Sequence, residues 1–177
     1  MLRYAQIRSL DVSDGFGVGV SLFTQGCHFH CKNCFNKSTW DFNGGKEWTK
    51  EVKEHFLELV NRPHIERVSI LGGEPLCEEN YADVLDLVKS IKGKKIWIYT
   101  GYTYEDIKNK EIIDYVDYVV DGRYIDELRD LSLQFRGSSN QRIIDVQKRL
   151  AQGKTVVSNK YTDNYELKTE KPDGIFL

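Results

Sequence analysis

The sequence contains no apolar run near the length that crosses a membrane, about 20 residues, and no signal-peptide core at its start. We therefore expect a cytoplasmic protein without a membrane partner. Its formal net charge of −2 over 177 residues argues against nucleic acid as the main partner. Because no internal repeat, low-complexity tract or linker interrupts the chain, we expect one domain over residues 1–177 with an irregular tail from about Asn159.

Cysteine is scarce, yet three of the four cysteines fall within eight positions, as Cys27, Cys31 and Cys34. An odd group this close in sequence does not suit disulfides, so a metal ion or cluster is the better explanation. Three thiolates would leave one iron of a four-iron cluster open to a substrate. Zinc completed by His28 or His30 is the alternative, because three cysteines and a histidine are a normal zinc ligand set.

The fourth cysteine, Cys77, does not share this spacing. We interpret it as a buried or half-buried thiol, since cysteine often behaves as a small apolar residue. The open iron depends on this interpretation, because a fourth thiolate would complete the set of ligands that a four-iron cluster normally uses.

Strand and helix patterns alternate along the chain. The opening segment as far as Asp14 fits an edge strand or an arm. Apolar runs then predict strands at 18–23, 68–71, 95–99, 118–120 and 142–146. Such alternation with helices favours an α/β fold in which helices cover a parallel sheet.

Helix-capping residues mark where the intervening helices begin. Thr49 is a plausible cap for the first helix, and Asn80 for the second, which Gly93 closes. A short third helix begins at Thr103, with Asp106 as its capping-box partner.

Polar and glycine-rich loops follow the predicted strands. They are Gly72-Gly73-Glu74-Pro75, Thr100-Gly101 and Asp121-Gly122-Arg123. The C-terminal ends of parallel strands meet at one edge, where α/β proteins build their sites. Paired glycines let a ligand approach the backbone, and Glu74 can accept hydrogen bonds from an ammonium group. Ordinary turn chemistry is the alternative explanation for each loop, and also for the donor-rich residues 136–141.

Together these features resemble the radical S-adenosylmethionine (SAM) superfamily, whose signature is a Cys-x3-Cys-x2-Cys loop followed by a Gly-Gly-Glu strand end. Within it, the chain is similar to the activating enzymes of anaerobic (class III) ribonucleotide reductase. The similarity runs in the family's order from about residue 4 to residue 157. It rests on segments 25–27, 34–40, 97–102, 120–122 and 135–141.

This resemblance implies an α/β fold of a particular kind, a compact partial (β/α) barrel of the radical SAM type, with a mostly parallel sheet open on one side. It implies a [4Fe-4S] cluster on Cys27, Cys31 and Cys34, with SAM bound to the open iron. The implied cofactor-binding residues are Phe35, Asn36, Gly72, Gly73, Glu74, Pro75, Thr100 and Asp121.

The resemblance also implies a reaction and its partners. Reductive cleavage of SAM would yield methionine and a 5′-deoxyadenosyl radical, which takes a hydrogen atom from a glycine. That glycine lies in a loop of the large reductase subunit, and a small protein such as a flavodoxin would donate the electron. A 7-carboxy-7-deazaguanine synthase from the same superfamily is one alternative, and a non-catalytic binding module stabilised by zinc is another.

Three positions depart from the family pattern. The family usually reads Gly-Pro-Gly-x-Arg where this chain has 15–19, Gly-Phe-Gly-Val-Gly, which leaves open the contacts of that loop. Arg123 replaces a lysine, so the charge stays while the geometry changes. Phe35 replaces the commoner tyrosine and lacks only its hydroxyl. None of these positions is a cysteine of the cluster.

Overall fold

The structure is a computed structural model that describes residues 1–152; the tail expected from Asn159 lies outside them. In this part of the chain the strands are β1 Arg3–Asp11, β2 Gly19–Thr24, β3 Lys46–Glu47, β4 Arg67–Gly72, β5 Lys95–Tyr99, β6 Tyr118–Asp121 and β7 Arg142–Asp145. The helices are α1 Lys50–Val60, α2 Glu78–Ser90, α3 Tyr104–Ile107 and α4 Val146–Gln152. Short 3₁₀ helices lie at Lys37–Thr39, Glu111–Tyr115 and Asp126–Leu128.

The seven strands form one sheet in the order β3-β1-β2-β4-β5-β6-β7. Strands β2, β4, β5 and β6 are parallel, whereas β1 and β7 run antiparallel to their neighbours. The α/β class is therefore confirmed, and the parallel arrangement holds at the centre of the sheet. Residues 12–18 are too few for a crossover, so β1 pairs with β2 as an antiparallel neighbour.

Two predicted helix caps are confirmed. The Thr49 hydroxyl accepts a hydrogen bond of 3.3 Å from the Val52 backbone N–H at the start of α1. Thr103 and Asp106 form a reciprocal capping box at the start of α3. Both caps act within four residues, which is why the local sequence was sufficient to predict them.

The predicted cap of α2 was wrong. Asn80 lies inside that helix and is buried. Its side-chain amide donates hydrogen bonds to the backbone carbonyls of Gln25, at 2.9 Å, and Glu74, at 3.0 Å. The residue therefore joins the loops after β2 and β4, and its partner Gln25 is 55 residues away in sequence.

Side chains of the central strands alternate between two faces of the sheet. On β5, Ile96 and Ile98 pack in the larger apolar core, which also contains Phe56 of α1 and Leu87 of α2. Trp97 belongs to a smaller cluster together with residues of β6 and β7. The first face is therefore closed by helices, while the second contributes to the cavity described next.

Candidate functional site

A cavity of about 410 Å³ lies at the C-terminal ends of β2, β4 and β5. Its volume falls in the range of ligand pockets, roughly 300–1,000 Å³. Most of the predicted site residues line it, namely Cys27, Cys31, Cys34, Phe35, Asn36, Gly72, Gly73, Glu74 and Thr100. Pro75 and Asp121 are not among its lining residues.

The start of the cysteine loop is fixed by backbone hydrogen bonds. The Gly26 N–H donates to the carbonyl of Thr39 at 2.8 Å, and the Cys27 N–H donates to that of Trp40 at 3.1 Å. These contacts bring the chain back on itself beyond the end of β2. They place Cys27, which is 8% exposed, at the base of the cavity.

Two sharp turns position the other cysteines. His30 and Asn33 adopt left-handed φ angles of 47° and 54°, which are uncommon for residues other than glycine. Across the second turn, the Cys34 N–H donates to the carbonyl of Cys31 at 3.1 Å. Strain of this kind is concentrated at functional sites, and here it turns the loop so that both cysteines line the cavity.

Side chains of residues 124–127 hold the outer side of this loop, which the sequence pattern did not predict. Asn33 Nδ2 donates to Asp126 Oδ2 at 2.6 Å, and Lys32 Nζ lies 2.9 Å from Glu127 Oε1. Tyr124 Oη donates to the other oxygen of Asp126 at 2.9 Å. The contacts tie the cysteine loop to the segment after β6, about 93 residues later in the chain.

The remaining candidate ligands point elsewhere. His28 Nε2 lies 2.8 Å from Glu79 Oε1, and the His30 ring packs on Trp40 with centroids 4.7 Å apart. Cys77 is 1% exposed, and burial raises the pKa of its thiol to about 12. None of the three lines the cavity, whereas Cys27, Cys31 and Cys34 do.

The three free thiols suit a cluster better than a single ion. No group of three or more histidine, cysteine, aspartate or glutamate side chains within residues 1–152 is arranged to hold one metal ion. Sulfur ligands of tetrahedral zinc would lie about 4 Å apart, given a Zn–S bond of about 2.3 Å. A four-iron cluster binds each thiolate through a different iron and therefore accepts a wider triangle of sulfurs. Three free cysteines that line one cavity are a donor set that fits such a cluster.

Burial raises the pKa of the Cys27 and Cys31 thiols above their ordinary value, and the nearby Cys34 raises that of Cys31 further. Both groups are therefore protonated thiols at neutral pH in the metal-free protein. Iron binds thiolates, so loading the site releases these protons.

Gly73 allows the end of β4 to approach the cysteine loop. Its N–H donates to the Thr24 carbonyl at 2.8 Å, and the next N–H, of Glu74, donates to the Gly26 carbonyl at 2.7 Å. A Cβ atom on Gly73 would lie 2.3 Å from that Gly26 oxygen. The glycine is thus required by a contact within the protein, whereas the sequence had suggested close approach by a ligand.

The Glu74 carboxylate links the ends of β4 and β5. Its Oε1 accepts hydrogen bonds from the Leu76 N–H at 2.9 Å and the Thr100 hydroxyl at 2.8 Å, and its Oε2 accepts from the Gly101 N–H at 2.7 Å. Burial raises the pKa of Glu74 to about 7. A carboxylate has about four acceptor sites, so these three bonds leave capacity for one further donor.

Asp121, which the sequence predicted to bind the cofactor, does not line the cavity. Asp121 is 1% exposed. Its carboxylate accepts from the Tyr104 N–H at 2.7 Å and pairs with Arg142 through two contacts, at 3.1 and 2.5 Å. These partners occupy it inside the protein. The following residues, Gly122 and Arg123, line the cavity instead.

Aromatic and cationic side chains form the outer wall, and sequence reasoning missed most of them. The Phe35 ring, which is 54% exposed, lies 5.1 Å from the Tyr124 ring and 5.1 Å from the Arg129 guanidinium. Arg123 stacks on Phe29 at 4.4 Å. No local pattern marks these residues, because they meet only when the segment after β6 folds over the cysteine loop.

The structure also accounts for Gly19, where the family usually has arginine. A Cβ atom there would lie 2.6 Å from Cγ and Nη1 of Arg67. Arg67 is fully buried, and its Nη2 lies 2.9 Å from Asp11 Oδ2. The space that a side chain at position 19 would need is therefore filled by an arginine from β4.

The cysteine loop and its cavity define an iron–sulfur protein. A family model described as a 4Fe-4S single cluster domain matches residues 13–144. That range contains every residue lining the cavity except Arg8.

Within residues 1–152, no helix combines the length and apolar character needed to cross a membrane.

Similar proteins narrow the class. Anaerobic ribonucleoside-triphosphate reductase-activating protein of Salmonella typhimurium is 38% identical over 148 residues, covering 79% of this chain and 96% of the relative. The Escherichia coli K12 protein of the same name is 37% identical over 148 residues, again covering 79% of this chain and 96% of the relative. That of Enterobacteria phage T4 is 36% identical over 146 residues, covering 80% of this chain and 93% of the relative. The chain belongs to the family of anaerobic ribonucleoside-triphosphate reductase-activating proteins.

Proposed function

We propose that this protein reductively cleaves SAM at a [4Fe-4S] cluster and generates a glycyl radical on the large subunit of an anaerobic ribonucleotide reductase. The observation that carries the proposal is the set of three free thiols lining one cavity in a member of the activating-protein family. When bound, the cluster supplies the electron that splits SAM into methionine and a 5′-deoxyadenosyl radical, which takes a hydrogen atom from the glycine.

Cys27, Cys31 and Cys34 would hold the cluster. Each binds as a thiolate after losing its proton. His28, His30 and Cys77 are directed to other partners or buried away from the cavity, which supports a site with one iron left open for SAM.

The SAM site would be formed by Phe35, Asn36, Gly72, Gly73, Glu74, Pro75 and Thr100. The spare acceptor capacity of Glu74 suits the SAM ammonium group. The exposed Phe35 ring offers a flat apolar face for the adenine. Pro75 contributes through the turn that follows Glu74, because its ring fixes one backbone angle there.

The protein's share of the chemistry is orientation and exclusion of water, since the cofactor carries the difficult step. The Phe29 ring packs edge-on against Tyr102, and the Phe35 ring lies against Tyr124. These two aromatic pairs would restrict the access of water to the cysteine loop. We propose one domain with a partial (β/α) barrel of the radical SAM type, open on one side. The parallel centre of the sheet supports this arrangement.

We also propose a small electron-donor protein such as a flavodoxin as a second partner. The cytoplasm is the proposed location, because clustered free thiols suit a reducing compartment. Nucleic acid and membranes are not proposed as partners.

An anaerobic assay tests the function. The protein is reconstituted with iron and sulfide and mixed with SAM and a reductant, and 5′-deoxyadenosine is measured. The cognate reductase is then added, and a glycyl radical is sought by electron paramagnetic resonance. Cleavage without a glycyl radical would favour the deazaguanine synthase, whereas a protein that binds zinc and forms no cluster would favour the binding module.

A further inference from the structure

Arg123 carries a positive charge at the cavity wall, and the proposed cluster and SAM contacts leave it without a role. Its guanidinium carbon lies 4.4 Å from the centre of the Phe29 ring. Phe29 lies between Cys27 and Cys31 in the sequence, and both cysteines line the cavity together with Arg123. The guanidinium is therefore held against the loop that would carry the cluster.

Both members of this stacked pair are fixed by the surrounding protein. The Phe29 ring packs edge-on against Tyr102, with ring centres 4.9 Å apart, and a Cβ atom on Gly101 would lie 2.4 Å from it. The Arg123 backbone is fixed by Asn140, whose Nδ2 donates to the Arg123 carbonyl at 2.8 Å. Arg123 is exposed, and stacking on an aromatic face restricts a side chain that would otherwise extend into water.

No carboxylate of the protein neutralises this charge. Within residues 1–152 no ion pair includes Arg123, whereas Lys32 in the cysteine loop pairs with Glu127 at 2.9 Å. Burial raises the pKa of the Cys31 thiol, while a hydrogen bond from the Tyr124 backbone and the charge of Arg123 act in the opposite direction. The positive charge of Arg123 thus favours negative charge on a sulfur of the proposed cluster site.

We propose that Arg123 raises the reduction potential of the cluster held by Cys27, Cys31 and Cys34. The inference rests on the proposed function. The electron-donor protein would supply one electron, so the cluster and its thiolates become more negative on reduction. A nearby cation stabilises that state, and charge is among the factors that set the potentials of iron–sulfur clusters. Arg123 would in this way favour the reduced cluster without contacting the reacting atoms.

The test compares Arg123→Gln, which removes the charge, with Arg123→Lys, which keeps it. Protein reconstituted with iron and sulfide is titrated anaerobically with dithionite and redox mediators, without SAM or reductase, and the reduced cluster is measured by electron paramagnetic resonance. At a fixed potential, Arg123→Gln should lower the ratio of reduced to oxidised cluster about threefold, the effect of one exposed charge at close range. This corresponds to a midpoint about 30 mV more negative, at about 59 mV per tenfold change for one electron. Arg123→Lys should match the wild type because the charge stays.

Arg129→Gln is the matched control. Arg129 is also exposed, and its guanidinium carbon lies 5.1 Å from the centre of the Phe35 ring. However, Arg129 does not line the cavity, and its charge interacts with the carboxylate of Asp126. We therefore expect the wild-type ratio for this variant. At an ionic strength of about 1 M, where the Debye length is about 3 Å, the difference between Arg123→Gln and the wild type should fall below about twofold.

An Arg123→Gln ratio equal to that of the wild type would overturn the inference, as would an equal shift in Arg129→Gln. A shift that Arg123→Lys shares, or that salt leaves unchanged, would indicate a structural effect and overturn it too. A raised KM for SAM at an unchanged potential would assign Arg123 to SAM binding instead. Because the titration contains neither SAM nor reductase, failure to form a glycyl radical would count against the proposed function alone. A wild-type protein that forms no cluster would overturn both.

Discussion

Substituting Gly73 with alanine should separate the packing role of the strand-end glycines from a ligand-binding role. The added Cβ atom would lie 2.3 Å from the Gly26 carbonyl oxygen and 2.9 Å from its carbon. Both are backbone atoms, so no rotamer change relieves the contact, and the chains must separate by roughly 1 Å to reach ordinary contact distance. Overpacking costs about 1–3 kcal/mol, and we expect a value near 3 kcal/mol because the backbone must move.

Urea unfolding of the metal-free protein measures this loss. Gly101→Ala is the matched control, because its Cβ atom would lie 2.4 Å from the Phe29 ring, a side chain that can turn aside. We expect that variant to lose about 1 kcal/mol. Gly73→Ala should also bind less iron after reconstitution, since the displaced Gly26 precedes Cys27. A Gly73→Ala protein that unfolds within about 0.5 kcal/mol of the wild type and loads normally would refute this reasoning.

Three further predictions follow from individual side chains. Cys31→Ala should abolish cluster absorption and SAM cleavage while Cys77→Ala retains both; loss in a folded Cys77→Ala protein would mean that the ligands are misassigned. Since burial raises the folded-state pKa of Glu74 from 4.5 to about 7, the unfolded chain releases that proton first. Relative to Glu74→Gln, unfolding free energy should therefore fall by about 3 kcal/mol as pH rises through that interval; parallel pH profiles would contradict this. Asp121→Asn weakens the ion pair with Arg142 and should lower the free energy of unfolding in denaturant by about 2 kcal/mol. The loss is limited because Arg142 is 35% exposed. The KM for SAM should stay unchanged, and a large increase in it would indicate that Asp121 contacts SAM.

Local signals were enough to predict much of the fold. The β5 strand follows the apolar run at residues 95–99, and the Thr49 and Thr103 caps act within their own first turns. The cysteine spacing likewise marks a metal loop without knowledge of its neighbours. In each case the interacting residues are close in sequence, so the local sequence pattern is enough to predict their arrangement in the structure.

Long-range partners explain what the sequence pattern missed. The local sequence predicts Asn80 as a helix cap, but in the fold its side chain donates to the Gln25 carbonyl in another loop. The position of Asp121 at a strand end predicts a ligand-binding residue, but in the fold β7 places Arg142 beside its carboxylate. A polar residue near a strand end has the same local pattern whether it faces a ligand or another part of the chain. Only the positions of distant strands distinguish the two.

The Gly-Gly-Glu loop shows that one motif can serve both purposes. Gly73 and the Glu74 N–H hold the end of β4 against the cysteine loop, while the Glu74 carboxylate holds the end of β5 through Thr100 and Gly101. A shift of this loop would therefore move the thiols and the proposed SAM contacts together. It follows that the strand-end loop would set the spacing between the proposed cluster and SAM sites, and that Gly73 is required by its contact with Gly26 whether or not a ligand touches it.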